Sequence, residues 1–327
     1  MTQQLSSTRI KTILAFGAIY IIWGSTFLGV HVALKSFPPF LLSALRLLIA
    51  GVSLLIFCKL RKEKMPAAAD VKKNIVCGLV LFVGGITAVV WAQQFISSSL
   101  ASIIITTPFW FIILDKKQWK LYFSSKWIIT GLMLGLSGVA LLMSFKKGRA
   151  GSGSEEMQLV SIVVMIVGSF SWVAGSLYLK YKPIKASVYA NTSIQFLSAG
   201  VFCVLISIMS GEMAHTHVSA ITTNAVVALL FLSIISSMIT FLAYMSLIKT
   251  QPPVVVSTYA YVNPLVATLL GWLFADEQIL PIQIVALFII LMGVLLVNVP
   301  KYLEYRSRIK TKTTFTVKTT RYAGNPC

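Results

Sequence analysis

The chain has 327 residues, 57% of them hydrophobic and only 11% charged, with a mean hydropathy of +0.85. A soluble domain keeps roughly a quarter of its residues charged, so this composition excludes a water-soluble globular protein. Twenty-eight Lys and Arg against nine Asp and Glu give a net charge of +19. Where those charges fall argues against nucleic acid as a partner.

Residues 1–11 are polar and read as a cytoplasmic N-terminus. The apolar run behind them is too long for the h-region of a cleavable signal peptide. Runs of about twenty apolar residues, the length a helix needs to cross hydrocarbon, lie near 13–34, 40–58, 75–96, 100–114, 127–145, 159–179, 188–210, 224–248, 254–274 and 280–299. The fourth is short. The sequence thus predicts an all-α integral membrane protein with ten transmembrane helices. With the N-terminus inside, 23 basic residues fall on the cytoplasmic side and four outside, while Arg46 lies within the second span. That asymmetry fixes the orientation, requires an even number of spans and puts both termini in the cytoplasm. The positive charge therefore reflects topology. Residues 300–327 form a basic cytoplasmic tail that suits anionic headgroups or serves as a plain stop signal.

The first span, "AIYIIWGSTFLGVHVALKSFPPF" (18–40), carries Trp23, Thr26 and His31 through hydrocarbon. Trp23, Thr26 and Leu34 keep to one side of a helix, with His31 slightly off it. An intramembrane ionisable group is costly unless it faces a cavity or a partner. His31 either lines such a cavity or bonds a backbone carbonyl near the helix end. Arg46 either clamps loop carbonyls or offers a bidentate fork to a substrate carboxylate or phosphate. In the third span "VVWAQQF" contributes Trp91 and Gln94, and in the fourth "TTPFW" contributes Thr107, Pro108 and Trp110. The sixth, "GSFSWVAGSLYLK", carries Trp172 and Ser176, and the eighth, "FLAYMSL", carries Tyr244. The ninth adds Tyr259, Tyr261, Asn263 and Pro264. A helix-interior proline frees a carbonyl one turn earlier, which survives in a membrane only beside protein or water. Pro108 and Pro264 therefore predict kinks in the wall of a cavity. The series Gly131, Gly135 and Gly138 in the fifth span predicts close helix packing.

The chain also matches itself at an offset of 149 residues. Trp23 falls on Trp172, Ala50-Gly51 on Ala199-Gly200, and Arg46 on Gln195. This divides it into a first repeat (12–146), a Gly-Ser-rich outer linker (147–157) and a second repeat (158–299). Five spans per repeat make the halves inverted, a plan that secondary transporters use with the solute site between halves near the midplane.

At this point "IIWGSTFLGVHVAL…FPPFLLSALRLLIAG" and "YVNPLVATLLGWLFADEQILPIQIVALFIILMGVLLVN" resemble the opening and closing patterns of the EamA family of the drug/metabolite transporter superfamily. The resemblance covers about residues 12–299. It implies ten helices, cytoplasmic termini and alternating-access movement of small metabolites, amino acids or similar solutes, often outward, across a bacterial inner membrane. Two departures stand out. His31 occupies a place where the family often has Lys, and "LDKKQWK" replaces its acidic residue after the fourth helix.

All nine carboxylates fall outside the expected spans. A carboxylate proton relay is thereby disfavoured, and proton coupling would have to run through His31 or a group at the membrane edge. A cavity with His31, Arg46, amides and aromatic rings suits neutral, zwitterionic or anionic solutes better than cations. Scattered cysteines and one HxH in a loop (His215, His217) indicate neither a metal nor a cofactor. A membrane-embedded enzyme is the main rival reading, but HExxH, GxSxG and GxxxxGK[ST] are absent. A receptor-like scaffold lacks the soluble module it would need.

Overall fold

The computed structural model describes residues 2–96, 101–102, 104–105, 107–144, 154–182, 184–214, 216–274, 281–282 and 284–300. The expected linker (for the most part), His215, the acidic pair Asp276-Glu277, the basic tail beyond Pro300 and the side chain of Thr107 lie outside this description.

The main elements are helices: α1 (Thr2–Ala33), α2 (Pro39–Leu60), α3 (Ala68–Ala92), α4 (Thr107–Leu114), α5 (Trp119–Ser124), α6 (Lys126–Ser144), α7 (Glu155–Tyr181), α8 (Val188–Met209), α9 (Thr223–Thr250), α10 (Pro253–Phe274) and α11 (Ile284–Pro300). Among the described residues seven are long and apolar enough to cross a membrane: α1 from Ile10 onward, α2, α3, α7, α8, α9 and α10. In lipid this is the expected outcome, because a helix satisfies its own backbone groups where water cannot. The fourth expected span is a continuous helix only over Thr107–Leu114. Two helices contain a widened π-helical stretch, Leu79–Thr87 in α3 and Phe231–Ile239 in α9.

The core is built around the crossing of α2 and α8. Small residues let the backbones approach. A Cβ on Gly51 would stand 2.8 Å from Leu197 Cγ and 3.0 Å from its amide nitrogen, and one on Gly200 would stand 2.8 Å from Leu48 Cγ and 3.1 Å from its nitrogen. Leu48 and Gly51 precede Leu197 and Gly200 by 149 residues each, so the contact is reciprocal, as across a local twofold axis. The ends of the two helices repeat the same turn. Glu63 N donates to Cys58 O at 2.9 Å and Glu212 N to Ser207 O at 3.0 Å, around left-handed residues Lys62 (φ 52°) and Gly211 (φ 74°). Such a turn satisfies terminal carbonyls that the helix itself leaves open.

The N-terminus of α2 begins Pro38-Pro39, and neither proline supplies a side-chain cap. Glu212 fills the gap from the far half of the chain. Its carboxylate accepts from Phe40 N at 3.2 Å, from Leu41 N at 2.9 Å and from Ser207 Oγ at 3.0 Å. Glu212→Ala should therefore cost about 1–2 kcal/mol, the typical loss for a cap and a charge-assisted bond. The check is a lowered thermal unfolding midpoint in detergent, with Glu212→Gln falling in between.

Candidate solute cavity

One face of α1 starts the site. Trp23, Thr26, Phe27 and Val30 follow the i, i+3, i+4, i+7 spacing that stacks side chains on one stripe, and all four border a partly open cavity of about 100 Å³. The rest of the wall comes from Arg46 of α2, from α3 with Gln93 just beyond its end, from Gly168, Ser169 and Trp172 of α7, and from Tyr259 and Asn263 of α10. Since a water needs roughly 10–15 Å³ on this measure, the space admits several waters or a small solute.

Below it lies a plug of rings. Trp23 meets Trp172 at 5.5 Å, Tyr244 at 5.1 Å and Tyr259 at 4.8 Å between centroids, and Trp172 meets Tyr244 at 5.4 Å. Trp23 and Trp172 are the pair related by the 149-residue offset. Tyr244 is fully buried and donates to Ser176 Oγ at 2.7 Å, which in turn donates to Trp172 O at 2.7 Å. This layer closes the cavity from the other end of the bundle.

The π stretch of α9 fixes the polar side. Arg46, 2% exposed, donates from Nε to Ser237 Oγ at 2.7 Å and from Nη2 to Ser236 Oγ at 3.1 Å. Ser236 Oγ pairs with Thr26 Oγ1 at 2.8 Å, Thr26 Oγ1 donates to Ile22 O at 3.0 Å, and Trp23 Nε1 donates to Ser236 O at 3.2 Å. Among the described residues the guanidinium thus bonds two neutral hydroxyls and forms no ion pair. On the same cavity, Gln93 Oε1, Ser169 Oγ and Asn263 Oδ1 are buried with no hydrogen-bond partner among the described residues. Buried polar atoms are nearly always satisfied, and an unsatisfied one costs about 1–3 kcal/mol. A cation without an anion and three orphan oxygens around one cavity form a site that asks for a polar occupant.

Of the expected site residues, Trp23, Thr26, Arg46, Trp172, Tyr259 and Asn263 line this cavity. Ser176 and Tyr244 stand one layer beneath it. Thr107's side chain lies outside the description, and the remaining ones do not line it. His31 is exposed, one position past Val30 and turned about 100° from it. Trp91 packs edge-on to Phe95 at 5.2 Å, and Gln94 Nε2 bonds back to Trp91 O at 3.0 Å; the neighbouring Gln93 is the one that faces inward. Trp110 packs against Phe170 at 5.2 Å, and Pro108 is buried outside the cavity lining. Tyr261 belongs to a separate cluster with α6 and α11, its hydroxyl 3.5 Å from Leu132 O. Pro264 sits inside α10 beside Asn263 without lining the space. Asp115 stands just past the end of α4, outside the helix, yet it is 1% exposed and held by two tyrosines.

Apolar helices long enough to cross a bilayer, wrapped around a cavity with buried polar groups, define a membrane transporter of small solutes. The profile of the EamA-like transporter family matches residues 10–144 and 159–299, and the chain belongs to that family. It is 31% identical over 291 residues to a protein of Escherichia coli K12 named as an uncharacterized inner membrane transporter, YedA, covering 88% of this chain and 91% of that one. It is also similar to the Bacillus subtilis transporter YoaV (22% identity, 83% and 90% covered) and to a transporter of Archaeoglobus fulgidus (28%, 82% and 90%). A crystal structure superposes with a TM-score of 0.69 over 90% of this chain and 98% of that one, at 16% identity, which speaks for the fold.

Proposed function

We propose that this protein carries a small solute with an anionic group and hydrogen-bond donors, an amino acid or similar metabolite, across the inner membrane by alternating access. The observation that carries the reading is Arg46: among the described residues a buried guanidinium without a carboxylate partner, on one cavity with three oxygens that lack a hydrogen-bond partner. A solute carboxylate would meet the guanidinium bidentately, and an ammonium or hydroxyl would satisfy Gln93, Ser169 and Asn263. Apolar neighbours such as Phe27, Val30 and Ile86 leave room for an apolar remainder.

Two inverted five-helix halves are the natural machine for this. The reciprocal Gly51–Leu197 and Gly200–Leu48 contacts and the repeated helix-end turns support that arrangement. A second, much narrower cleft of about 20 Å³ lies at the opposite end of α7, lined among others by Leu179, Thr192, Gln195 and Lys249. Leu179 and Gln195 follow Val30 and Arg46 by 149 residues. The narrow cleft thus corresponds to the cavity, and exchanging the shapes of the halves would open one and shut the other. The basic bias of the inner loops supports cytoplasmic termini, and export is the direction family resemblance suggests.

The test is uptake into proteoliposomes of a labelled panel of amino acids and metabolites, with and without an acid-inside pH gradient. We expect one solute class to enter, and Asn263→Leu to reduce its entry at least ~tenfold through one lost bond to a charged group. A panel with no entry in wild type, or entry unaffected by Asn263→Leu, would remove the cavity from transport.

A further inference from the structure

A dense patch of positive charge lies at one end of the α2–α8 pair, outside the solute cavity. Residues 61–64, just past α2, and residues 184–187, just before α8, face each other across an open cleft of about 550 Å³. The cleft draws one wall from each half of the chain. Arg61, Lys62, Lys64 and Lys185 bring four cations to it, and Glu63 one carboxylate. All four bases are exposed, and among the described residues none forms an ion pair. Charge of one sign gathered in a concavity raises the local concentration of counter-ions. At the far end of the pair the corresponding carboxylate is engaged: Glu212, 149 residues beyond Glu63, turns onto Phe40 N and Leu41 N. Glu63 has no such task, because Ser187 Oγ already accepts from Ala190 N at 3.1 Å.

Both walls are held by hydrogen bonds to backbone. Arg61 N donates to Phe57 O at 3.0 Å and Lys62 N to Lys59 O at 3.2 Å. Opposite, Ala186 N donates to Ile184 O at 2.9 Å, and Asn191 Nδ2 reaches Ala186 O at 3.2 Å. A cleft fixed in this way loses little freedom when it is filled. Its depth in the bilayer follows from α2. Twenty-two residues at 1.5 Å each span roughly 33 Å, against a hydrocarbon core of about 30 Å. The cleft therefore opens at headgroup level. Phe57 of α2 and Tyr189 of α8 pack at 5.1 Å between ring centroids, with the Arg61 guanidinium 5.9 Å from the Phe57 centroid. From there Leu60, Ile56 and Val52, four residues apart, run along α2 as an exposed apolar stripe.

We propose that this cleft binds the phosphate head of an anionic phospholipid, whose acyl chains lie along the stripe of Val52, Ile56 and Leu60. The phosphodiester supplies the negative charge that the four bases lack, and their N–H groups donate to its oxygens. Inorganic phosphate shares that chemistry but has nothing to lay on the apolar stripe, so the lipid is the occupant that the whole surface fits. Arg61, Lys62 and Lys64 belong to the first half of the chain and Lys185 to the second. One bound lipid thus bridges the halves at this end and steadies their contact. Under the expected topology this is the cytoplasmic face, where anionic lipid attracts basic segments. The site is separate from the solute cavity and does not depend on what that cavity carries.

The test uses the full chain in a neutral detergent. Phosphatidylglycerol or phosphatidylcholine of the same acyl length is added at equal mole fraction, or inorganic phosphate without lipid. Native mass spectrometry counts bound lipid, and thermal unfolding follows stability. Phosphatidylglycerol should bind as a discrete adduct, at least ~tenfold tighter than phosphatidylcholine, and raise the unfolding midpoint. Both effects should weaken as salt is added. The triple variant Lys62→Gln, Lys64→Gln, Lys185→Gln should bind phosphatidylglycerol at least ~tenfold more weakly than wild type and lose the rise in midpoint. Its three positions are exposed, so its midpoint without lipid should match wild type. Should it unfold instead, Lys185→Glu alone, which sets a carboxylate on the second wall, decides by the same readouts. A control, Lys116→Gln, Lys120→Gln, Lys126→Gln, removes the same charge from exposed positions outside the cleft and should keep tight binding. Equal loss in both triple variants would mean attraction to positive charge in general and would overturn the site. So would equal binding of the two lipids. Inorganic phosphate that gives the full rise in midpoint by itself would overturn the lipid as occupant.

Discussion

Arg46→Met should abolish transport, lowering the initial rate at least ~100-fold, while leaving the thermal midpoint unchanged or raised. A bidentate bond to a solute anion contributes two charge-assisted interactions of about 1.5–3 kcal/mol each, which sets the size of the loss. The stability half of the prediction follows from what surrounds the guanidinium. It is 2% exposed and bonded to Ser236 and Ser237, two neutral hydroxyls. A buried charge without a counter-ion costs several kcal/mol of desolvation, and an apolar residue of similar volume in place of buried charge is often neutral or stabilising. Methionine fills the same corridor. Ser236 keeps Thr26 as a partner, so Ser237 is the group left short. Measurement of uptake and thermal unfolding on the same preparation separates two roles. Lost transport at unchanged stability means the charge serves the solute. Transport and stability falling together means Arg46 is a clamp, and the solute reading loses its main support. Arg46→Lys should retain part of the rate with a raised KM, since an ammonium supplies charge without the fork.

How far this site could be read from the chain depends on the helix concerned. Trp23 and Thr26 were legible because α1 runs unbroken from Thr2 to Ala33, and three-residue spacing alone places them on one stripe. The α3 residues were not. Its π stretch, Leu79–Thr87, takes more residues per turn than an α-helix, so the phase at "WAQQF" cannot be extrapolated at 3.6 residues per turn. Gln93 therefore faces the cavity where Gln94 was expected. Tyr259 and Tyr261 show the same limit on a smaller scale. Two residues turn a helix by about 200°, so one ring joins the plug and the other faces Gly135, where an added Cβ would stand 3.2 Å from it. Asp115 was invisible for a different reason. Locally it is a charged residue among lysines, and only the arrival of Tyr181 from the other half buries it. Spans, charge asymmetry and duplication are properties of runs of residues and survive such errors. Burial of a single polar group is a property of the packed whole.

The second large effect concerns the crossing of α6 and α11, where close packing was expected from the spacing of Gly131, Gly135 and Gly138. A Cβ on Gly131 would stand 2.7 Å from Gly293 O and 2.7 Å from Val297 N, and one on Gly293 would stand 2.6 Å from Gly135 N and 2.7 Å from Gly131 O. The opposing atoms are backbone, so they cannot swing aside as a side-chain end would. A substituent at Gly293 must push the two helices apart along their whole contact. The contact includes Tyr261, Ile290 and Val297, which pack in the same cluster. Gly293→Val should therefore destabilise by about 3 kcal/mol or more, the upper end for overpacking, and reduce the yield of folded protein severely. Gly17 provides the contrast, because a Cβ there meets nothing within 4 Å. Gly17→Val on the outer face of α1 should be tolerated, leaving the unfolding midpoint nearly unchanged. Comparison of the two variants by size-exclusion profile and thermal unfolding tests the packing directly. If Gly293→Val folds as well as Gly17→Val, α6 and α11 do not meet backbone to backbone. Loss confined to Gly293→Val would tie α11 to the wall that holds Tyr261, two residues before the cavity residue Asn263 and its neighbour Pro264.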